Sequence, residues 1–453
     1  MNEPERVQLA ITAERSGTAP ATWGQQAIWD AVAALGAEAA RYNVSVGFAV
    51  EPARPRSAVL AALAEAVRHH EALRTRLRVG QDEELEQLLD AVGTVPVTVC
   101  RSATDATGQW GERLLAELAA QRFDTAAAWP IRIGLVESAG LVRHLVMVLS
   151  HTAADGGGLR RLARDVAALL DGAAPGRLWE AFPAVQPLDE AARQKSSRGR
   201  RQDAAARRYW LAKLRDGPRR IFPERAARDP DARYLHLVLH SPALLRAVDH
   251  VARTRRVSIQ TVVLAAVARQ ISLIGGSPEV LLQVVVNNRF QPGMAQTVTT
   301  LAQEALFHVP QAGLGFADLV GRVQAGALAS YRCASYDKRR LDRDIEGLRA
   351  VLPDLADHSC FVNDTREPEL FRPPAPDRVP PLSEAREATV LRWGDEVPPR
   401  PHQTLALDVV DAPGAIELVV VADASRVPRS HMERLLCGVE GCIVEDALAS
   451  GGV

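Results

Sequence analysis

Lysine is nearly missing from this 453-residue chain: only Lys195, Lys213 and Lys338 stand among its 54 basic residues, the rest being arginine. With so much alanine, this reads as GC-rich codon usage and carries no functional signal. Net charge is also missing. The 54 basic residues face 55 acidic ones, leaving −1, so the chain lacks the basic excess that phosphate neutralisation needs, and no nucleic-acid partner is expected. No apolar run approaches the roughly 18 to 20 residues of a membrane span, and the opening MNEPERVQLA lacks a charged-then-hydrophobic signal pattern. The expectation is a cytoplasmic protein with no membrane partner. Cysteine is sparse: Cys100, Cys333, Cys360, Cys437 and Cys442 are an odd, scattered set. Cys437 and Cys442 have no second pair or histidine cluster to complete a zinc site, so no metal is expected and the five are read as buried thiols.

Hydrophobic residues make up 47% and charged residues 24%, ordinary for a globular protein, and the length is about three times that of a common domain. Two packed units are therefore the starting expectation. Apolar spacing predicts a helix after a polar cap at Thr22, a strand over Tyr42 to Val50 and a helix over Ala58 to Leu77. Another helix is predicted near Trp110 to Arg122, then strands over Pro130 to Val136 and Leu141 to Leu149. The stretch from Gly172 to Arg208 loses apolar periodicity, which suggests an N-terminal lobe over 1–180, a linker over 181–207 and a C-terminal lobe over 208–453. Its run of basic residues from Arg193 to Arg208 reads as a solvated face more readily than as a docking site for an acidic carrier. In the second half, strands are predicted at Tyr234 to His240 and Val280 to Asn287, and helices at Pro242 to Arg255 and Ile259 to Leu273. Thr404 to Val410 and Ile416 to Val421 read as a hairpin, and Arg429 to Ala449 as a closing helix. Dense prolines from Pro353 to Pro401 predict an irregular crossing segment, with Asn363-Asp364 in a turn.

The chemistry concentrates in Ser150-His151-Thr152-Ala153-Ala154-Asp155-Gly156, between a buried strand and the helical run from Leu159. A histidine beyond such a strand can face a cleft with one ring nitrogen, and its near-neutral titration suits taking a proton from an amine or hydroxyl. His151 is the favoured catalytic residue, as base or as orienter of the attacking group. Glycines 156 to 158 permit close backbone approach, and the Gly156 N–H is expected to face a developing oxyanion. Asp155 is either a second acid/base or a structural carboxylate. Ser150 has no Gly-X-Ser-X-Gly surroundings, which disfavours it as a nucleophile. His69 and His70 read as packing or capping groups at a helix end.

This heptad resembles the active-site signature of nonribosomal-peptide condensation domains, two histidines followed by three variable residues and Asp-Gly, with Ser150 in place of the first histidine. Other blocks match in order: Ala19-Pro20-Ala21-Thr22 with Gln25, Gln26 and Trp29; Tyr42-Asn43; Arg68-His69-His70-Glu71-Ala72-Leu73-Arg74-Thr75-Arg76; Phe123-Asp124 with Trp129-Pro130-Ile131-Arg132; Tyr209-Trp210; and Val286-Asn287-Asn288-Arg289. The resemblance spans about residues 17 to 447. It implies an α/β fold of two chloramphenicol-acetyltransferase-like, two-layer lobes in a V-shaped pseudo-dimer. It further implies an ion pair between Asp155 and Arg289 that supports the loop, with Ser150 a hydrogen-bonding substitute. The activity implied is that of a freestanding, monomeric acyltransferase of natural-product biosynthesis, with no bound cofactor. It would join a thioester on the phosphopantetheine arm of an acyl or peptidyl carrier protein, or on coenzyme A, to a small-molecule amine or hydroxyl. No segment resembles an adenylation or carrier domain, so partners are expected in trans or in a longer synthetase. The alternative, which Ser150 favours, is a catalytically silent module of this kind that recruits a carrier or tailoring enzyme.

Overall fold

The computed structural model describes residues 4–102, 107–180, 184–222, 234–366, 381–398 and 402–451. By internal contacts the chain divides into two units: Met1–Asp203 with Asn287–Ala302 and Asp337–Arg339, and Ala204–Val286 with Gln303–Tyr336 and Arg340–Val453.

The first unit holds strands β1 (Glu5–Thr12), β2 (Gly17–Pro20), β3 (Val44–Arg54), β4 (Thr75–Val79), β5 (Leu85–Leu89), β6 (Val92–Arg101), β7 (Ile131–Ser138) and β8 (Leu141–Leu149). Five of them form a sheet in the order β1-β6-β7-β8-β3, antiparallel except between β6 and β7, while β2-β5-β4 form a smaller one. Its helices are α1 (Trp23–Ala34), α2 (Arg56–His69), α3 (Thr107–Ala119), α4 (Gly156–Leu170), α5 (Pro175–Glu180) and α6 (Pro187–Lys195), with α7 (Ser197–Asp216) running into the second unit. Alternation along the central strands decides the layers. Ile133, Leu135, Leu145, Met147 and Leu149 pack with Leu63, Val67, Leu162 and Val166 of α2 and α4. Val136, Val146 and Val148 pack on the other face with Leu114 and Leu118 of α3. Covered on both faces, β7 and β8 read as largely apolar runs in the sequence, interrupted by Arg132 and Glu137 in β7 and by Arg143 and His144 in β8.

The second unit holds β9 (Tyr234–Ser241), β10 (Glu279–Val286), β11 (Gln303–Pro310), β12 (Cys360–Asp364), β13 (Val390–Trp393), β14 (Leu405–Ala412) and β15 (Ala415–Asp423), ordered β11-β10-β12-β14-β15-β9-β13. The helices α8 (Pro242–Arg255), α9 (Ile259–Gly275), α10 (Phe316–Tyr331), α11 (Lys338–Val351), α12 (Leu382–Glu387) and α13 (Arg429–Ala449) flank it. Helix α9 is apolar nearly all round because α8, α10 and α13 all pack against it.

Four readings of the sequence are corrected. The helix expected to reach Leu77 stops at His69; His70 turns to φ −88°, ψ 95°, Glu71–Arg74 makes one 3₁₀ turn, and Thr75–Val79 alternates as an edge strand paired with β5. The proline-rich crossing segment contains Cys360–Asp364, a strand in the interior of the seven-stranded sheet, so Asn363-Asp364 is not a turn; parallel pairing with β10 and β14 decides it. Residues 367–380 and 399–401 of that segment lie outside those described. Where apolar periodicity fades between Gly172 and Arg208, α6 and α7 are helical all the same. Of the cysteines only Cys360 is buried, and Cys437 is exposed.

Candidate active site

Strand β8 delivers the heptad. The Ser150 N–H donates to the Pro130 carbonyl at 3.0 Å and the Ala153 N–H to the Ser150 carbonyl at 2.9 Å, closing a tight turn before α4. Within residues 150–155 every residue is buried except His151, which is partly exposed. The Ser150 hydroxyl is 2.8 Å from that of Thr152 and forms a local pair with it. His151 Nδ1 is buried without a partner, and the ring lies 6.0 Å, centroid to centroid, from Tyr42. His151, Ser150 and Thr152 line a cavity of about 470 Å³ together with Trp29, Tyr42 and Phe123. Capping fixes the start of α1, which carries Trp29: the Thr22 hydroxyl accepts from the Gln25 N–H, and the Gln25 side chain accepts from the Thr22 N–H.

Asp155 is the N-cap of α4. Its Oδ1 accepts from the Gly158 N–H at 2.8 Å, and its Oδ2 from the N–H groups of Leu301 and Ala302 at 2.8 and 2.9 Å. The Arg289 guanidinium adds a bidentate pair at 2.7 and 2.9 Å and also donates to the Thr299 carbonyl at 3.1 Å. Burial pushes the carboxyl pKa up, but the Arg289 charge, its hydrogen bonds and the backbone donors outweigh this and hold it below the ordinary aspartate value. Asp155 is therefore an ionised anchor with every acceptor direction in use.

The glycines have unequal tasks. A Cβ at Gly157 would stand 2.9 Å from Arg289 Cζ, and one at Gly158 would stand 2.9 Å from the Thr299 carbonyl oxygen; at Gly156 it would meet only the flexible end of Arg160, at 3.1 Å. Gly157 and Gly158 thus make room for the Asn287–Ala302 segment, not for a substrate as the sequence suggested. Gly156 and Gly157 are the first two helical residues, and their N–H groups have no acceptor within the helix.

Behind α4, His69 stacks on Trp179 with centroids 3.9 Å apart, and His70 Nε2 donates to Asp165 Oδ2 at 2.8 Å. Asp165 also pairs with Arg161 and accepts from Trp179 Nε1. Burial drives the His70 pKa down against the pull of Asp165, so the pair is a neutral imidazole beside a carboxylate. Sequence reasoning missed Thr152 and the backbone groups of Thr299, Leu301 and Ala302. Their sole trace is a polar threonine run from Thr297 to Thr300 following Asn-Asn-Arg, a pattern without periodicity.

The family model for the condensation domain matches residues 15–364. Over 351 residues the chain is 30% identical to an isonitrile lipopeptide synthase of Mycobacterium tuberculosis, covering 72% of this chain and 13% of that protein. It is 24% identical over 331 residues to a dimodular nonribosomal peptide synthase of Bacillus subtilis, covering 70% of this chain and 14% of that protein. The chain thus spans a small fraction of these relatives. Among solved structures, it resembles the condensation domain for chain release from the enacyloxin polyketide synthase with a TM-score of 0.72 at 17% identity, covering 94% of this chain and 82% of that one. SgcC5 of Streptomyces globisporus superposes at 0.66 and 18% identity, covering 95% and 98%. At such identities these structures speak for the chloramphenicol-acetyltransferase-like fold alone. With more than half of its length matched by the family model, and a mixed α/β architecture shared with solved members, the chain belongs to the condensation-domain family of nonribosomal peptide synthesis.

Proposed function

We propose that this condensation-family chain is an active acyltransferase that joins a carrier-bound acyl thioester to an amine or hydroxyl acceptor, with His151 as its catalytic residue. One observation carries the reading: His151 is the single partly exposed residue in an otherwise buried turn, and it borders a cavity large enough for a substrate. The acceptor attacks the thioester carbonyl; the imidazole takes the proton the attacker loses, or holds the attacker in line, and the departing thiolate recovers a proton as the carbon–sulfur bond breaks. The Gly156 N–H, at the positive end of α4, is the donor assigned to the oxyanion. Asp155, pinned by Arg289, is assigned to loop support and kept from proton transfer, because its carboxylate stays ionised. The acyl donor is a carrier-protein phosphopantetheine thioester, with coenzyme A as the other source, and the acceptor is a small molecule.

Mass spectrometry of carrier-loaded acyl thioesters incubated with acceptor and either wild type or His151→Ala tests this. Product formation is expected to fall by about 10²- to 10⁴-fold in the variant. Equal product from both proteins would remove the role given to the imidazole. A silent recruiting module is favoured by one feature, the non-titrating Ser150 tied to Thr152; it requires that wild type yield no product while still retaining a carrier protein on a pull-down.

A further inference from the structure

A second cavity, of about 400 Å³, opens in the second unit where β12 and β14 begin. Its walls come from the chain after α7, the last turn of α11, the residues leading into β12 and β14, and the turn after β15. Four guanidiniums, those of Arg219, Arg220, Arg349 and Arg426, line it with the rings of His358 and His402 and face three aspartates. Two of those aspartates are already committed to their own loops. Asp357 accepts from the N–H groups of Ile221 and Ser359 and from the Ser359 hydroxyl, and Asp423 accepts from the Ser425 N–H and hydroxyl. That leaves Asp354, which is exposed. Neither Arg349 nor Arg426 has a carboxylate partner among the described residues. Gln403, also in the wall, holds a buried Nε2 with no acceptor.

We propose that this cavity is a binding site for the phosphate group of a small molecule, gripped by the guanidinium forks of Arg349 and Arg426. Planar forks match the oxygens of a phosphate, and the amide of Gln403 supplies a further donor once an acceptor is present. His358 donates from Nδ1 to the Ala356 carbonyl; burial is the main cause that lowers its pKa, with Arg349 and His402 adding to it against the opposing pull of the Ala356 hydrogen bond and of Asp357. Four guanidiniums outnumber three carboxylates around the cavity and leave it net positive. The near-zero net charge of the chain makes this a local feature and argues for a small ligand over a polynucleotide.

Calorimetric titration of the full-length protein with inorganic phosphate and with adenosine 5′-monophosphate, at constant ionic strength set with chloride, tests the site. Saturable binding is expected in the millimolar range or tighter, with the His358 ring resonances in NMR shifting over the same range. The double variant Arg349→Gln/Arg426→Gln should bind at least tenfold more weakly with an unchanged melting temperature, since both side chains are exposed, while Arg349→Lys/Arg426→Lys should fall between. Tighter binding of the nucleotide than of phosphate assigns a phosphomonoester, and equal binding assigns the phosphate group alone. No saturable heat with either probe, or wild-type affinity in the glutamine variant, overturns the proposal.

Discussion

Arg289 and Asp155 show what one side chain can be responsible for. Removing the guanidinium by Arg289→Ala strands a fully buried carboxylate, a change that costs about 3–5 kcal/mol in comparable settings, so a large drop in melting temperature is expected by calorimetry. Arg289→Lys should recover only part of it, because an ammonium cannot reproduce the two parallel bonds. Wild-type stability in the alanine variant would show that the pair is dispensable. The neighbouring glycines allow a finer comparison. Gly158→Ala forces a Cβ against the Thr299 backbone and should destabilise by about 1–3 kcal/mol, whereas Gly156→Ala meets a movable arginine end and should cost much less. The reverse order in denaturant melts would contradict the packing described here. Because the folded pKa of Asp155 is depressed, its stabilisation is present above the unfolded value near pH 4 and is lost as pH falls below it.

At the level of elements, α2, α4 and α5 meet in the His69, His70, Asp165 and Trp179 cluster. Burial, with His70 and Arg161 outweighing Asp165, brings the pKa of His69 from its ordinary 6.5 to about 4. In that interval the unfolded chain binds more protons than the folded one, so stability should fall as pH drops from 6.5 to 4. His69→Gln should flatten that slope; an unchanged slope would mean the cluster does not govern acid sensitivity. Thr22→Ala, which opens the capping box of α1, should cost about 1 kcal/mol. Elements with a single dominant signal were legible beforehand: α8 begins and ends where its caps and apolar spacing place it, α13 follows its apolar spacing, and the β14–β15 hairpin turns at Gly414, whose φ is +69°. The Ser150 to Gly156 heptad was equally legible as strand, turn and helix start. Less was visible where long-range pairing overrides local preference. Thr75–Val79 looked like the end of a helix until β5 supplied a partner, and Cys360–Asp364, lost among prolines, became an interior strand only through β10 and β14. The use of Gly157 and Gly158 was hidden for the same reason, since Thr299 and Arg289 lie far along the chain.

For the molecule as a whole, unit boundaries do not follow chain order. Asn287–Ala302 lies in sequence between β10 and β11 of the second unit but packs with the first, where it supplies every partner of the Asp155 carboxylate except the Gly158 N–H. Residues 1–203 expressed alone should therefore fail to form a cooperative folded state, as judged by near-ultraviolet circular dichroism and thermal melts; a sharply melting fragment would contradict this. The same separation has a bearing on biosynthesis. Arg289 stands 134 positions after Asp155, so at ribosomal rates the aspartate emerges on the order of 10 s before its counter-ion exists. Throughout that delay the nascent loop ahead of α4 carries an uncompensated negative charge that resists burial, and translation beyond Ala302 sets the earliest moment at which the loop can lock.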